Sequence, residues 1–255
     1  MKVAIIQSAL VWENPQANRE NFEEKINSIE GEVNLIVLPE MFTSGFTMNP
    51  AAVAETMTGE TVVWMKTLAK ANSAAITGSA VIEEGGAFYN RLLFVFPSGE
   101  VQFYDKRHLF TLAGEEKQYA KGGEKLIVEY QGWRIAPLVC YDLRFPVFSR
   151  NAEDYDLLIY VANWPRKRIH AWNSLLVARA IENMSYTIGV NRIGLDGNNH
   201  EYNGQSQIID ALGQTILAAA NSEGVFMTTL HKNTLTETRD RFRFLSDRDF
   251  FSVKD

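Results

Sequence analysis

Residues 35–38 read Leu35-Ile36-Val37-Leu38, an unbroken apolar run that ends at Pro39 and Glu40. A strand with one face in water alternates apolar and polar residues, so an unbroken run indicates a strand that is covered on both faces. The segment Leu157–Ala162 has the same character. Strands of this kind are typical of sheets packed between other layers, and they predict an α/β fold.

Outward from residue 35, helical and strand patterns alternate along the chain. Phe22, Ile26 and Ile29 recur at helical spacing within Ala17–Glu30, which predicts a helix there. No linker, repeat or low-complexity tract interrupts the patterns, so we expect one α/β domain with mixed sheets. The other predicted elements are helices over Thr61–Asn72 and Ile169–Asn183, and strands over Val3–Ser8, Ala74–Ile82, Arg91–Phe96, Val101–Tyr104, Leu126–Tyr130, Trp133–Val139, Thr187–Asn191, Gln207–Asp210, Thr215–Ala219 and Val225–Leu230.

The bulk composition argues against several classes of function. The 255 residues carry a formal net charge of −6, and the densest basic run is only Arg166-Lys167-Arg168, so we expect no nucleic-acid surface. The sequence shows no secretory signal and no apolar stretch of membrane length, which predicts a cytoplasmic protein without a membrane partner. Its single cysteine, Cys140, rules out an internal disulfide.

Three reactive side chains stand where predicted strands end. Glu40 follows the run 35–39, Lys106 follows residues 101–105, and Cys140 follows residues 135–139. Taken singly, each has an ordinary explanation: a solvated turn, a charged loop and a small buried core residue, respectively. Ligands of α/β sheets bind outside the carboxyl ends of the strands, so together the three predict one shared pocket.

The combination of a thiol, a carboxylate and an ammonium group suits acyl transfer. An ordinary thiol with a pKa near ~8.5 is mostly protonated at neutral pH, and the thiolate is the attacking form. Glu40 can accept the thiol proton, while Lys106 favours the anion and can stabilise charge on a carbonyl oxygen. We therefore expect a hydrolase in which Cys140 is the nucleophile.

Other catalytic schemes fit the sequence less well. None of the four histidines lies in a local signature of a cysteine–histidine hydrolase, although sequence alone leaves such a pair open. No paired-histidine spacing suggests a metal site, so we expect neither a metal nor a cofactor. We interpret His108 as a structural hydrogen-bonding residue near the site. The histidines are His108, His170, His200 and His231.

Three sequence blocks resemble the signature blocks of the nitrilase superfamily of carbon–nitrogen hydrolases, and they occur in that family's order. The similarity runs from Val3 to about Val225. It implies an αββα four-layer sandwich, a single domain over residues 1–255, and pairing into a homodimer or a higher homo-oligomer. Separately, the residues after Leu230 are polar and then aromatic, so we expect residues 231–255 to form a C-terminal tail that packs on another surface, with the dimer interface as one candidate. The blocks are Leu38–Glu40, Asp105–Phe110 and Cys140–Pro146.

The resemblance also implies roles for individual residues. Glu40 is the expected base, Lys106 the electrophilic stabiliser and Cys140 the nucleophile. An assisting glutamate maps best to Glu115, with Glu116 as the competing choice. We further expect the backbone N–H of Tyr141 to hold the oxyanion, and Asp142 and Arg144 to pair within the loop after the nucleophile.

Within the superfamily, the block around Cys140 is similar to that of the omega-amidase branch. This similarity implies hydrolysis of the terminal amide of 2-oxoglutaramate or 2-oxosuccinamate, a small-molecule substrate, to a 2-oxo acid and ammonia. Arg168 is the candidate for binding the substrate carboxylate, with capping of the helix at Ile169 as the alternative. Phe110 and Trp164 are candidates for the walls around the acyl chain, with a place in the core as the alternative.

Two rival functions stay open at the level of sequence. Another amidase of the superfamily would act on an N-carbamoyl compound or a deaminated peptide. A catalytically idle interaction protein would keep the fold without the chemistry, although Glu40, Lys106 and Cys140 are all intact.

Overall fold

The structure is a computed structural model that describes residues 1–253, so the last two residues of the predicted tail 231–255 lie outside the described part. The helices are α1 (Pro15–Asn27), α2 (Glu60–Ala71), α3 (Pro146–Ser149), α4 (Ile169–Asn183) and α5 (Lys232–Phe242). The strands are β1 (Lys2–Gln7), β2 (Leu35–Val37), β3 (Ala75–Glu84), β4 (Ala87–Val95), β5 (Val101–Asp105), β6 (Val128–Tyr130), β7 (Trp133–Val139), β8 (Leu157–Ala162), β9 (Tyr186–Asn191), β10 (Ile193–Leu195), β11 (Glu201–Asn203), β12 (Gln207–Ile209), β13 (Thr215–Ala218) and β14 (Gly224–Thr229).

Two six-stranded mixed sheets form the centre of the molecule. The first has the strand order β14-β1-β2-β3-β4-β5, and the second has the order β13-β12-β9-β8-β7-β6. β1, β2 and β3 run parallel in the first sheet, as do β7, β8 and β9 in the second. Parallel neighbours need crossover connections, and the chain supplies them through helices such as α1, α2 and α4.

The sheets pack face to face with helices outside, which confirms the predicted αββα sandwich. On β1, Val3 and Ile5 join the core between the sheets, whereas Ala4 and Ile6 face the layer of α1 and α2. On the far side, α4 covers β9 and β12. Because successive strand residues point to opposite faces, strands buried on both sides must be apolar throughout, as residues 35–38 are.

The segment that carries Glu40 runs close against β3. Its backbone is held by hydrogen bonds from Leu38 N to Thr77 O at 2.7 Å and from Phe42 N to Ser79 O at 3.0 Å. A Cβ atom on Gly78 would lie 2.8 Å from the Cβ atom of Leu38, so only glycine permits this approach.

The sequence patterns did not predict two features of the chain. The polar tail after Leu230 forms α5, whose Lys232 and Arg239 bind Asp156 of the same chain at 2.6 and 3.1 Å. The short antiparallel hairpin of β10 and β11 stands apart from both sheets. Within residues 1–253, no helix has the length and apolar character needed to cross a bilayer.

Candidate active site

Glu40, Lys106 and Cys140 meet at one end of the two sheets, as their places at strand ends predict. Lys106 Nζ lies 2.9 Å from Glu40 Oε1, and both side chains are buried. Cys140 follows β7 in the second sheet, its Sγ lies 4.0 Å from the backbone oxygen of Asn163, and it lines the same cavity as Glu40 and Lys106. Residues separated by up to a hundred positions in the chain therefore form a single cluster.

Glu115 completes this cluster, and Glu116 does not belong to it. Lys106 Nζ lies 3.0 Å from Glu115 Oε1 and 2.9 Å from Glu115 Oε2. The backbone N–H of Phe110 also donates to Glu115 Oε2, at 2.5 Å. Glu115 is fully buried, whereas Glu116 is exposed, which favours Glu115 as the assisting glutamate. We call Glu40, Lys106, Glu115 and Cys140 the floor of the site.

Two asparagines that the sequence analysis did not single out as site residues hold Glu40 in place. Asn90 Nδ2 donates to Glu40 Oε1 at 2.8 Å and to Glu115 Oε1 at 3.2 Å. The backbone N–H of Asn163 donates to Glu40 Oε2 at 2.8 Å, and its Nδ2 donates to the Glu40 backbone oxygen at 2.6 Å. Position in the sequence offered little signal for Asn90, because a lone polar residue in a strand is common.

The floor shifts the pKa values of its own members. Burial alone would lower the pKa of Lys106, but the charges of Glu115 and Glu40 outweigh burial and raise it. Burial raises the pKa of Glu115, and repulsion from Glu40 adds to this effect while Lys106 opposes it. With two carboxylates around one ammonium, the lysine stays charged throughout the physiological range.

Cys140 sits at a sharp turn between β7 and a 3₁₀ turn over Cys140–Arg144. Its φ of 45° lies in the left-handed region, which is rare for a residue with a side chain and is often found at functional sites. Burial raises the pKa of the thiol well above its ordinary value, the negative charge of Glu40 raises it further, and Lys106 opposes the shift. The resting thiol is therefore protonated at neutral pH and needs a base.

Asp142 holds the loop after the nucleophile, but Arg144 does not pair with it. Asp142 accepts hydrogen bonds from Tyr104 at 2.9 Å, from the Val139 N–H at 2.9 Å and from the His108 N–H at 3.1 Å. His108 Nδ1 also lies 2.7 Å from Asp142 Oδ1, which fits the structural role expected for this histidine. The expected Asp142–Arg144 pair is wrong because the turn directs Asp142 inward and leaves Arg144 exposed.

A cavity of about 410 Å³ opens above the floor. Phe110, Tyr141 and Trp164 line it, together with Phe46 and Met48. The ring of Phe110 lies 5.0 Å from that of Tyr141 in an edge-on arrangement. The predicted wall residues therefore face the same space as Cys140. The volume suits a small ligand rather than a polymer.

Three cations surround the outer part of this cavity, and we call Arg144, Lys167 and Arg168 the cationic rim. The guanidinium of Arg144 lies 4.9 Å from the ring centre of Trp164, and that of Arg168 lies 5.1 Å from the ring centre of Phe110. Among residues 1–253, no carboxylate pairs with any of the three. Arg168 thus points into the cavity as expected for a carboxylate ligand, and Arg144 joins it unexpectedly.

The hairpin of β10 and β11 supplies another wall that the sequence analysis missed. Asp196 Oδ2 accepts from Tyr202 at 2.9 Å and lies 3.2 Å from His200 Nδ1. These hydrogen bonds, with those from neighbouring amides, lower the pKa of Asp196 against the opposing effect of burial. Arg166 reaches Glu201 at 2.6 Å and links this hairpin to the loop that carries Lys167 and Arg168.

Comparisons with known proteins agree with this geometry. The family model described as carbon-nitrogen hydrolase matches residues 2–240. The chain is 46% identical to omega-amidase YafV of Escherichia coli strain K12, over 99% of this chain and 98% of that protein. It is 29% identical to the 2-oxoglutaramate amidase of Bacillus subtilis strain 168, over 96% of each.

A solved structure supports the same assignment. The protein XC1258 from Xanthomonas campestris, a CN-hydrolase superfamily protein with an arsenic adduct in its active site, superposes with a TM-score of 0.97. It is 44% identical to this chain, and the match covers 100% of this chain and 99% of the other. The chain therefore belongs to the carbon–nitrogen hydrolase family, within the nitrilase superfamily.

Proposed function

We propose that the protein is an omega-amidase that hydrolyses the terminal amide of 2-oxoglutaramate or 2-oxosuccinamate. The similarity to an omega-amidase and to a 2-oxoglutaramate amidase supports this substrate class. The observation that carries the proposal is the pairing of two features of one cavity. Its floor holds a thiol beside a carboxylate and an ammonium, and its outer part holds cations without ion-pair partners among residues 1–253.

Acylation begins with transfer of the thiol proton to Glu40. Glu40 Oε1 already accepts from Lys106 and Asn90, whereas Oε2 accepts only the Asn163 N–H among backbone and amide donors. We assign Oε2 as the proton acceptor because it has room for one more hydrogen bond. Sγ of Cys140 then attacks the carbonyl carbon of the substrate amide.

Charge that develops on the carbonyl oxygen needs donors that are already in position. The Tyr141 N–H belongs to the first residues of a 3₁₀ turn, where amides have no acceptor within the turn itself. Lys106 supplies the second donor, since its two contacts with Glu115 can share one N–H. Loss of one donor of this type typically costs about 3–4 kcal/mol of barrier height.

Collapse of the tetrahedral intermediate breaks the carbon–nitrogen bond. Glu40 returns its proton to the departing nitrogen, so ammonia leaves and a thioester joins the acyl group to Cys140. Water, deprotonated by Glu40, then attacks the thioester, and the proton passes to the sulfur as the acid leaves. Two easier steps replace one difficult hydrolysis.

The cationic rim provides the recognition of the substrate's far end. Arg168 and Arg144 each lie over an aromatic ring that also lines the cavity, which holds their planar guanidinium groups toward the ligand space. A guanidinium binds a carboxylate through paired hydrogen bonds, a geometry that a lysine does not match. We assign the carboxylate to Arg168 with Arg144 as its partner, and the acyl chain to the walls of Phe110 and Trp164.

We propose in addition a cytoplasmic homodimer. A mechanism that depends on a free thiol suits a reducing compartment. Exposed apolar side chains on α4 and in the tail, such as Ile181 at 49% exposure and Phe244 at 56%, offer surface for a second copy. Sedimentation of the full chain at several concentrations tests this assembly, and a monomer at all of them would overturn it.

Ammonia release from a panel of amides tests the proposed activity. We expect turnover of 2-oxoglutaramate and 2-oxosuccinamate, and much slower release from glutamine, an N-carbamoyl amino acid and a simple nitrile. Glutamine is the sharpest comparison, because its α-ammonium group would face the cationic rim. Preference for the N-carbamoyl compound would assign a different amidase activity, and no turnover of any compound would favour an idle protein.

A further inference from the structure

Asn90 occupies an unusual place between two carboxylates. It is fully buried on β4, and its single Nδ2 atom contacts Glu40 Oε1 at 2.8 Å and Glu115 Oε1 at 3.2 Å. Each of the two hydrogens on that nitrogen can serve one glutamate. The backbone oxygen of Asn90 also accepts from the Lys106 N–H at 3.0 Å, so the residue touches three members of the floor.

The opposite end of the same side chain is left without a partner. Asn90 Oδ1 is buried and accepts no hydrogen bond from the described residues. Leaving a buried acceptor unsatisfied is costly, and native structures seldom tolerate it without a reason. Turning the amide over would place Oδ1 against two carboxylate oxygens. The need for an N–H donor toward the glutamates therefore explains why Oδ1 is left without a hydrogen bond.

The charges around Asn90 indicate that its N–H groups act against repulsion between the two glutamates. If both glutamates are ionised, two negative charges share the single positive charge of Lys106 in a buried site. Paired carboxylates commonly relieve such repulsion by binding a proton between them. A proton held there would occupy Glu40 and abolish its action as a base. The titratable groups that face this arrangement are Glu40, Lys106, Glu115, Cys140 and Tyr119.

We propose that Asn90 is a positioning residue that stands in for that shared proton. It donates one neutral hydrogen bond to each glutamate, and so keeps both ionised around Lys106 and Glu40 ready to accept the thiol proton. The inference deepens the proposed function and rests on the role of Glu40 as base.

The sign of the expected pH effect follows from the hydrogen bonds. Donors to a carboxylate favour its ionised form, so their removal makes the floor bind a proton more readily. Activity that requires ionised Glu40 is then lost at a higher pH as the solution is acidified. Asn90→Leu should shift the acid limb of the kcat/KM profile upward by about one pH unit or more, with recovery of much of the rate on the alkaline side.

Asn90→Asp provides a second, nearly isosteric variant in case the leucine variant does not fold. An aspartate in this place must carry a proton to donate at all, and it can then serve only one glutamate. It should therefore shift the acid limb upward as well.

Asn18→Leu is the matched control, since Asn18 is a fully buried asparagine that bonds Val11 and Thr43, away from the floor. It should lower the melting temperature and leave the acid limb in place.

Two measurements distinguish a test of the role of Asn90 from a test of the proposed substrate. One is the pH profile of ammonia release from 2-oxoglutaramate. The other is the pH profile of the first acylation of Cys140 by p-nitrophenyl acetate, which needs the thiol and its base but not the cationic rim. Absence of ammonia release by the unmutated protein would count against the omega-amidase function alone. An equal loss of ester acylation at every pH in the Asn90 variants, or no loss at all, would overturn the role of Asn90.

Discussion

The floor and the cationic rim of the same cavity are built in opposite ways. On the floor, Lys106 and Glu115 are fully buried, and Lys106 is in contact with both glutamates. On the rim, Arg144 is exposed and Arg168 half-buried, and neither has a carboxylate partner among residues 1–253. The charged groups of the floor thus have their ion-pair partners before any ligand binds, whereas the arginines of the rim have none.

This difference suits the floor to the chemical step and the rim to recognition of the substrate. Groups that must stabilise a transition state work best when they are fixed in advance, because no reorganisation is then needed during the reaction. Groups that select a substrate gain affinity by leaving their charge unsatisfied until the substrate supplies the counter-charge. Changes to the floor should therefore lower kcat, and changes to the rim should raise KM for anionic amides.

Among substitutions that leave the nucleophile in place, the largest effect should come from Glu115→Gln. Both carboxylate oxygens of Glu115 accept from two donors each, Oε1 from Lys106 and Asn90, and Oε2 from Lys106 and Phe110. A glutamine must direct its NH₂ group at one of these donor pairs, which produces a donor–donor clash whichever way it turns. We expect kcat to fall by about 10²-fold or more, measured as ammonia release at saturating 2-oxoglutaramate.

Glu116→Gln is the matched control for this prediction, because Glu116 is the exposed neighbour of Glu115. It removes the same charge from the same turn and should leave kcat unchanged. Similar losses in the two variants would mean that the effect arises from general charge in the loop, and the distinction between floor and surroundings would fail.

A smaller effect should follow from Arg168→Ala. Loss of a hydrogen bond to a charged partner, worth about 1.5 kcal/mol, should raise KM for 2-oxoglutaramate about tenfold with little change in kcat. Arg144→Ala should act in the same direction. A neutral aliphatic amide should show no such change in either variant, since it brings no carboxylate to the rim.

Arg166→Ala serves as the control at the rim. Arg166 is two residues from Arg168, but it pairs with Glu201 on the surface and does not line the cavity. Its removal should leave KM for both kinds of amide nearly unchanged. Unaltered kinetics of the Arg168 variant on the keto-acid amide would take that residue out of the recognition site.

The sequence predicted the parts of the fold that depend on local pattern. Apolar runs marked the strands before Glu40, Lys106 and Cys140, and helical spacing marked residues 169–183 as observed. It did not predict α5, because only Leu235 of that helix is buried and its attachment depends on Asp156, more than 70 residues away. Ion pairs over such separations leave no periodic trace in a sequence.

The same limit applies within the site. Reactive side chains at strand ends could be identified singly, whereas the bridging place of Asn90 depends on how β4 meets the segment after β2 and the loop after β5. The expected pair of Asp142 and Arg144 was suggested by their closeness in sequence. Tyr104 and His108 compete successfully for Asp142, because they reach it from the end of β5 and the loop that follows.

The proposed activity depends most on covalent chemistry at Cys140 within the floor. Intact-mass measurement of protein quenched during turnover of 2-oxoglutaramate tests this directly, with Cys140→Ser as the companion variant. We expect the unmutated protein to carry one added acyl group of the substrate's 2-oxo acid, and the serine variant to remain folded, unmodified and inactive. Wild-type-like turnover by the serine variant, or an acyl group attached to any residue other than Cys140, would rule out Cys140 as the nucleophile.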